Sequence, residues 1–329
     1  MSLMTGGLQV QAVETWKALS ALGGGMTAEL FDWSKTDTPC DLYHFISLPP
    51  HLNKIAELVR EAGRPYVVTL VLGGLRNPFQ LRLRAARWRI GSVIRGGNES
   101  DRAVAGAASC VTITEADAEV IRVMFRVDRR KISVISNGVP DAFFKCTADA
   151  WREAYGDRRF VLCVGAVQQR KNQLLLAQAC NRLKLPLVLL GPVLPGQSDY
   201  ARQVGEAMRE NEPVGGRWLQ HLRNEDPLLQ SAHAACRMFA LVSSEETQPL
   251  SVMQAMAARK PVLLLKAAYA EDKLFRELPQ ARSSDLETVA DALKQVWESG
   301  QATELSPDYT WGSVARQLQT IYNHALNSK

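Results

Sequence analysis

Residues 160–191, FVLCVGAVQQRKNQLLLAQACNRLKLPLVLLG, hold the pattern that decides the fold. Two apolar runs, FVLCVG (160–165) and PLVLLG (186–191), enclose a stretch with apolar residues at helical spacing. Because the runs are almost continuously apolar rather than alternating, they are typical of strands covered on both faces of a parallel sheet. The stretch therefore predicts a strand, a helix and a second strand of an α/β protein.

The same alternation continues in both directions along the chain. Further strand-like runs are PYVVTLVL (65–72), CVTIT (110–114), KISVIS (131–136), MFALV (238–242) and PVLLL (261–265). A chain of 329 residues is long enough for two domains, each with its own core. The segment NGVPDAFFKCTADA (137–150) brings Gly, Pro and a change of composition, so we place the boundary there. We assign residues 1–145 to the first domain and residues 146–310 to the second.

Composition predicts a cytoplasmic protein. Hydrophobic residues make up 46% and charged residues 22%, there is no secretory signal, and no apolar run approaches ~18 residues. The six cysteines form no Cys-x-x-Cys pair and the five histidines are scattered, which favours free thiols and predicts no metal site. A net charge of +5 permits anionic partners without requiring nucleic acid, and we expect none.

An anion site is predicted in EETQPLSVMQAMAARKPVLL (245–264). The strand 238–242 ends in a polar loop, and Pro249 suits the first position of the helix that follows. The free N–H groups at that helix start favour an anion, at the strand end where open α/β sheets bind ligands. Glu246 would lie at the mouth of this site, and Gln254 would face it from the second turn.

This stretch resembles the E-x7-E signature of retaining, two-domain glycosyltransferases of family 4. Four other segments match that family in order: TGGLQVQAVETWKAL (5–19), 107–144, FVLCVGAVQQRKNQLLLAQA (160–179) and YTWGSVARQLQTIYNHAL (309–326). They correspond to the first Gly-Gly turn and helix, the end of the N-terminal domain, the donor phosphate loop, and a C-terminal helix that crosses back. The resemblance spans most of the chain.

The resemblance implies a GT-B fold, with two Rossmann-like domains facing across a cleft and a helix at about 311–327 packed on the first domain. Lys171 and Arg170 would contact the donor diphosphate, Glu246 would contact the transferred sugar, and Gln254 would bind the ribose hydroxyls. Glu246 and Lys171 are thus the implied catalytic residues. Further implied donor-binding residues are Gln248, Pro249, Leu250, Ser251, Gly165 and Gly191, and the acceptor-side cleft would include Gly6 and Gly7. The nucleotide sugar is a substrate, so no cofactor and no metal are expected. The acceptor would be a saccharide or a lipid-linked intermediate.

The chain departs from the family pattern at several positions. Gln254 replaces a Glu, so its hydrogen bonds to a ribose would be uncharged and about half as strong. Pro249 and Arg259 stand where Gly is frequent, and Ala166 stands where many members have Arg. The segment VVTLVLGGL (67–75) lacks the His that many members carry. These departures leave open a non-catalytic GT-B-like protein that binds a nucleotide or a protein partner. An epimerase on the same fold is a third reading.

Each of these residues also has a plain structural reading when taken alone. Arg170 and Lys171 are typical of a solvated surface pair, and Glu246 of an acid that complements a helix start. Gln254 alone is typical of a surface position, and His44 of a satisfied core histidine. The functional interpretation depends on their joint order.

Two features of the first domain remain open. Arginines without an intervening acid interleave with apolar residues in 76–95, namely Arg76, Arg82, Arg84, Arg87, Arg89 and Arg95. This segment is either a basic helix that contacts the inner face of a membrane or a solvated face packed by its apolar residues. Only four residues precede Thr5, so we expect this domain to lack its first strand. The sequence leaves open whether that strand is missing from the protein or only from this stretch of it.

Overall fold

The structure is a computed structural model that describes residues 7–23, 25–32, 40–73, 78–94, 99–220, 222 and 225–327. The strands are β1 (Tyr43–Ile46), β2 (Tyr66–Leu70), β3 (Ser109–Thr112), β4 (Ile132–Val134), β5 (Val161–Val164), β6 (Leu187–Leu190), β7 (Arg217–Leu219), β8 (Met238–Leu241), β9 (Val262–Leu265) and β10 (Gln280–Ala281). The helices are α1 (Gly7–Leu22), α2 (Pro50–Glu61), α3 (Pro78–Ile94), α4 (Glu99–Ala105), α5 (Glu115–Phe125), α6 (Asp149–Tyr155), α7 (Gln173–Leu183), α8 (Ser198–Asn211), α9 (Pro227–Ala235), α10 (Leu250–Ala257), α11 (Leu286–Ser299) and α12 (Trp311–Asn327).

The chain divides into two compact units. Residues 7–138 with 311–327 form the N-terminal domain, and residues 139–310 form the C-terminal domain. Residues 139–145, which the sequence assigns to the first domain, belong to the second. The reason is that they already pack there: the Val139 N–H donates to the Tyr309 carbonyl at 2.8 Å, and the Phe143 ring is buried in the C-terminal core. The boundary therefore lies between Gly138 and Val139, seven residues before the predicted one.

The N-terminal domain is built on a parallel sheet in the order β1-β2-β3-β4. β2 and β3 are buried along their whole length, whereas every residue of the edge strand β1 is half-buried. Helix α1 begins at the first described residue, and β1 is the first strand described. The expected absence of a strand before α1 concerns residues 1–6, which lie outside the described residues. Gly7 begins α1 at an exposed position, and Gly6 lies outside the described residues.

The last helix returns to the N-terminal domain and lies against α1. Its buried side chains recur every three or four residues, which places them on one helical face: Trp311, Val314, Ala315, Leu318, Tyr322 and Ala325. Gly138 lets the chain pass close to the start of this helix, since a Cβ there would lie 2.5 Å from the Trp311 backbone nitrogen. The apolar stripe of α12 thus explains why it docks on this sheet.

Helix α3 carries the predicted basic segment. Its Leu81 and Ala85 are buried against Val120 and Met124 of α5, so part of its apolar face is used inside the domain. The arginines of α3 whose side chains are described, Arg82, Arg84 and Arg87, are all exposed, and Leu83 between them is 45% exposed. The side chains of Arg76, Arg89 and Arg95 lie outside the described residues.

The C-terminal domain is built on a six-stranded sheet in the order β10-β9-β8-β5-β6-β7, with every pair parallel. Helices cover both faces, and each face has its own apolar core. The prediction of an α/β chain with two parallel sheets is confirmed. The sequence missed β1, β7 and β10, which are short edge strands without a long continuous apolar run.

Candidate functional site

Two loops of the C-terminal domain begin at the carboxyl ends of parallel strands, one after β5 and one after β8. β6 and β7 lie on one side of β5, whereas the later strands β8, β9 and β10 lie on the other. The direction of winding therefore reverses between β5 and β8. Ligands of open α/β sheets bind at such a reversal, outside the carboxyl ends of the strands. The loops after β5 and β8 contain most of the donor-site residues that the sequence indicates.

Hydrogen bonds join these two loops directly. The Arg170 carbonyl accepts from the Ser244 N–H at 2.8 Å, from the Ser244 hydroxyl at 3.0 Å and from the Ser243 hydroxyl at 3.1 Å. The Asn172 amide donates to the Val242 carbonyl at 2.9 Å. Since four bonds fix one loop against the other, the side chains that the loops carry are held in a defined arrangement.

A cluster of three charged side chains lies on the joined loops. Lys171 Nζ is 3.1 Å and Arg170 NH1 is 3.0 Å from the same oxygen, Oε1 of Glu246. The Ser243 hydroxyl oxygen lies 3.2 Å from that oxygen, and the Arg170 guanidinium donates to the Glu245 carbonyl. The Lys171 and Glu246 side chains are only 12% and 11% exposed, whereas Arg170 is 38% exposed. Two cations thus share one carboxylate, and the partial burial strengthens their attraction.

The cluster has one positive charge in excess. A diphosphate is an anion whose oxygens can take the place of the Glu246 carboxylate beside Lys171 and Arg170. Guanidinium and ammonium groups form short, charge-assisted hydrogen bonds to phosphate. The arrangement can therefore hold a phosphate and can change its internal pairing when one arrives.

Two glycines allow the backbone to approach the cluster. Gly165 has φ +149°, and a Cβ on it would lie 2.7 Å from Lys171 Nζ. Gly191 has φ +145°, and a Cβ on it would lie 2.4 Å from the Gly165 carbonyl oxygen. The Trp218 indole fixes the backbone after β6 by donating to the Gly191 carbonyl at 3.0 Å. A side chain at Gly191 would push the β5 and β6 loops apart, and one at Gly165 would displace the Lys171 ammonium group. Both glycines therefore support the position of Lys171.

Helix α10 begins directly after the loop that carries Glu246. Pro249 is its N-cap rather than its first residue, and the Pro249 carbonyl accepts from Val252 and Met253. Within the described chain, the N–H groups of Leu250 and Ser251 donate to no backbone carbonyl. They are available to an anion, as expected of a helix start.

The remaining indicated residues lie along the same segment. Gln248 is buried in the loop before α10. Gln254 is half-buried in the second turn of the helix, and its side chain makes no hydrogen bond to a described residue. The structure therefore brings together Gly165, Gly191, Arg170, Lys171 and Glu246 through direct contacts, and it leaves the Gln254 amide without a partner among the described residues. Gly7 belongs to the other domain, and Gly6 lies outside the described residues.

Several supporting residues were not indicated by the sequence. Ser243 and Asn172 fix the two loops, and Trp218 fixes the Gly191 turn. Asn172 has φ +52°, a left-handed conformation that Asn tolerates. An Asn directly before a predicted helix could therefore have indicated a fixed turn between Lys171 and α7. Arg259 has φ +55°, which explains in physical terms why glycine would suit that position.

Cys163 lies in β5, the strand that leads into the loop of Arg170 and Lys171. Burial raises the pKa of its thiol to about 12, so the sulfur stays protonated and does not act as a nucleophile. Among the described residues no group of three or more His, Cys, Asp or Glu side chains is arranged to hold a metal ion. No described helix has both the length and the apolar character needed to cross a membrane.

Comparison with known protein families finds a match within the C-terminal domain. Residues 158–299 match the model of the family described as Glycosyl transferases group 1. This range contains β5 to α11, and therefore both loops and the charged cluster. A search of curated proteins found no match.

Solved structures show the same fold over nearly the whole chain. HepE of Anabaena, in complex with UDP-glucose, is 18% identical with a TM-score of 0.66, covering 100% of this chain and 97% of HepE. AviGT4, a glycosyltransferase involved in avilamycin A biosynthesis, is 14% identical with a TM-score of 0.61, at 99% and 91% coverage. Sucrose-phosphate synthase of Thermosynechococcus elongatus is 15% identical with a TM-score of 0.61, at 88% and 74% coverage. The chain has the fold of these GT-B glycosyltransferases.

Proposed function

We propose that this protein is a glycosyltransferase that moves a sugar from a nucleotide diphosphate donor to a saccharide or lipid-linked acceptor, with retention of configuration and without a metal ion. The observation that carries the proposal is the cluster of Lys171, Arg170 and Glu246 at the point where the sheet reverses its winding. The match of residues 158–299 to the group 1 glycosyl transferases and the UDP-glucose bound by HepE support it.

The chain's own residues would handle the charge that develops during transfer. As the bond to the sugar breaks, negative charge grows on the leaving diphosphate and positive charge on the sugar. Lys171, Arg170 and the N–H groups of Leu250 and Ser251 would stabilise the phosphates. Fixed donors of this kind contribute most where charge appears in the transition state, each typically about 3 kcal/mol.

Glu246 would change partners when the donor binds. Its carboxylate now accepts from both cations, so an arriving diphosphate must compete for them. Once released, the carboxylate can accept hydrogen bonds from sugar hydroxyls, which fixes the orientation of the sugar. The pairing therefore keeps Glu246 at the site while no donor is present.

A thermal-shift screen with UDP-, GDP-, ADP- and TDP-sugars tests donor binding. A ligand that binds only the folded state raises the apparent melting temperature. We expect one nucleotide class to raise it in the wild-type protein and to lose that effect in Lys171→Ala. If no nucleotide sugar shifts the melting temperature, the proposed donor site is wrong.

Transfer and its stereochemistry need a second measurement. With the donor identified, release of nucleoside diphosphate in the presence of candidate acceptors reports turnover, and NMR of the product reports its anomeric configuration. We expect retention, with turnover unchanged by EDTA. An inverted product, or loss of turnover that added Mg²⁺ restores, would overturn those parts of the proposal.

A second candidate function is nucleotide binding without catalysis. The unpaired Gln254 amide and Pro249 at the start of α10 favour it, since a carboxylate and one more N–H would bind a donor more firmly. The two functions differ in one result. Donor binding without diphosphate release across a broad acceptor panel would favour the binding protein.

The exposed arginines of α3 support a further proposal on partners. Arg82, Arg84 and Arg87 surround the exposed Leu83, and this face would meet anionic lipid at the inner side of a membrane, where a lipid-linked acceptor lies. Vesicles of phosphatidylglycerol should sediment the wild-type protein, and those of phosphatidylcholine should not. The triple change of these arginines to Gln should abolish sedimentation. Equal sedimentation of the triple variant would exclude this contact.

A further inference from the structure

A cavity lies in the C-terminal domain at the amino ends of the sheet strands, whereas the charged cluster lies beyond their carboxyl ends. It has a volume of about 290 Å³ and is lined by residues that include Trp151, Tyr155, Arg158, Phe160, Val188 and Arg217. We call it the amino-edge cavity, because Phe160 immediately precedes β5 and Arg217 is the first residue of β7. The strand rise of about 3.3 Å per residue places Phe160 roughly 16 Å from Gly165, at the other end of β5.

The floor and wall of the amino-edge cavity are aromatic. Trp151 and Phe160 are each 2% exposed, with ring centroids 5.0 Å apart. Tyr155 is half-buried and packs on Trp151 at 4.6 Å. Because Trp151 and Phe160 are almost fully buried, the half-buried Tyr155 supplies most of the ring surface that a ligand can reach, and the core holds that ring in place.

Two guanidinium groups stand at this cavity without a carboxylate. The Arg217 guanidinium lies 4.4 Å from the centre of the Tyr155 ring and donates a hydrogen bond to no described residue. Arg158 donates to the Val214 carbonyl at 2.7 Å, and no described carboxylate pairs with it. Gly215 has φ +101°, and a Cβ there would lie 2.4 Å from Arg158 NH1, so the glycine lets this guanidinium lie against the backbone.

A guanidinium has five N–H donors, so most of those on Arg158 and Arg217 remain free for a ligand. Arg217 is half-buried and Arg158 is exposed at the mouth of the cavity. A ligand with an anionic group and a flat ring matches two such cations beside aromatic side chains. The cavity volume lies at the lower end of the range for small-molecule sites, which limits the ligand to a small one.

We infer that the amino-edge cavity is a second ligand site, which binds a small organic anion consisting of a phosphate or carboxylate joined to a ring. The anionic group contacts Arg158 and Arg217, and the ring lies on the aromatic floor. This site is separate from the donor site, so a ligand can occupy it while a nucleotide sugar is bound.

Phenyl phosphate is a suitable probe, followed by ligand-detected NMR titration of the full chain. Binding should be stronger than that of inorganic phosphate, which lacks the ring, and benzyl alcohol, which lacks the charge, should not bind. Benzoate in place of phenyl phosphate tells whether a carboxylate or a phosphate is preferred. Each of Arg217→Gln and Arg158→Gln should weaken phenyl phosphate binding about tenfold, the usual effect of losing a charge-assisted contact.

Arg159→Gln is the matched control, because Arg159 is exposed, lies beside Arg158 and does not line the cavity. It should bind the probe as the wild type does. Lys171→Ala should also leave probe binding unchanged, and saturating nucleoside diphosphate should not displace the probe. Displacement would mean that phenyl phosphate occupies the donor site. That result, absence of binding, or unchanged affinity in both Arg158→Gln and Arg217→Gln would overturn the inference.

Discussion

Lys171 and Glu246 form a salt bridge of 3.1 Å between the loops that follow β5 and β8. Both side chains are largely shielded from water, and Gly165 lies against the ammonium group. Since the same lysine is the strongest candidate for binding a diphosphate, the two groups compete for one cation. The competition makes opposite predictions for substitutions at the two positions.

Lys171→Ala should weaken the binding of nucleoside diphosphate by at least tenfold. The change removes a charge-assisted contact of about 1.5–3 kcal/mol and leaves Glu246 closer to the phosphates with only Arg170 to neutralise it. Isothermal titration measures the affinity. Lys294→Ala, which removes an exposed lysine of α11, is the control. Unchanged affinity in Lys171→Ala would show that the diphosphate does not bind at this cluster.

Glu246→Gln should separate binding from transfer. Without the carboxylate, Lys171 and Arg170 are no longer neutralised, so nucleoside diphosphate should bind as tightly as before or more tightly. Transfer should be lost, because the neutral amide holds the sugar hydroxyls more weakly. Glu246→Ala should abolish transfer as well. Product formation and titration are measured on the same preparations, and full activity in either variant would exclude the role assigned to Glu246.

Gly191→Ala should reduce both stability and donor binding. An alanine Cβ would lie 2.4 Å from the Gly165 carbonyl, at a backbone φ of +145° that alanine rarely adopts. The strain should cost about 1–3 kcal/mol and should move the loop that carries Lys171. Gly205→Ala is a suitable comparison, since the nearest atom to its Cβ would be 3.8 Å away in helix α8. That variant should be as stable as the wild type or about 0.5–1 kcal/mol more stable by thermal unfolding.

The central strands were predictable from the sequence, as was the edge strand β4, but the edge strands β1, β7 and β10 were not. β2, β3, β5, β6, β8 and β9 are covered on both faces, so their apolar runs are nearly continuous. In contrast β1 reads YHFI and β7 reads RWL, each half-buried at every position. These edge strands face solvent on one side and have no such signature.

The candidate site was predictable in its charges but not in their pairing. The order of Arg170, Lys171 and Glu246 along a strand-loop-helix pattern indicates a phosphate site. That both cations bind one carboxylate oxygen depends on the loop geometry, which Ser243 and Asn172 fix through hydrogen bonds to distant backbone carbonyls. Contacts of this kind depend on the tertiary fold and leave no periodic pattern in the sequence.

Stability should fall as the pH falls from about 6.5 to about 4. Burial lowers the pKa of His44 and of His233 to about 4, against 6.5 in the unfolded chain. Below pH 6.5 the unfolded state therefore binds protons that the folded state does not, and the free energy of unfolding decreases until the folded pKa is reached. The loss for the fully buried His233 is on the order of 3 kcal/mol at most, and the loss for the half-buried His44 is smaller.

Chemical denaturation across this pH range measures the effect. His44 is held neutral between the Tyr322 and Thr69 hydroxyls at 2.6 and 2.7 Å, so His44→Gln should flatten the pH profile. His51→Gln, at an exposed position, should not. The pKa of Asp128, held at about 2 by the side chain of Arg130, affects stability only below about pH 4. A profile that His44→Gln leaves unchanged would contradict the assignment.

Gln254→Glu should retain or tighten donor binding. Gln254 lies half-buried in the second turn of α10, and its amide has no hydrogen-bond partner among the described residues. It can accept one hydrogen bond from a ribose hydroxyl, and a carboxylate there would form a charge-assisted bond that is stronger by about 1 kcal/mol. Titration of the donor against wild type, Gln254→Glu and Gln254→Ala measures the difference, with the alanine variant weakest. A tenfold or greater loss of affinity in Gln254→Glu would mean that the site is built around the amide, and the binding protein without catalysis would then be the better account.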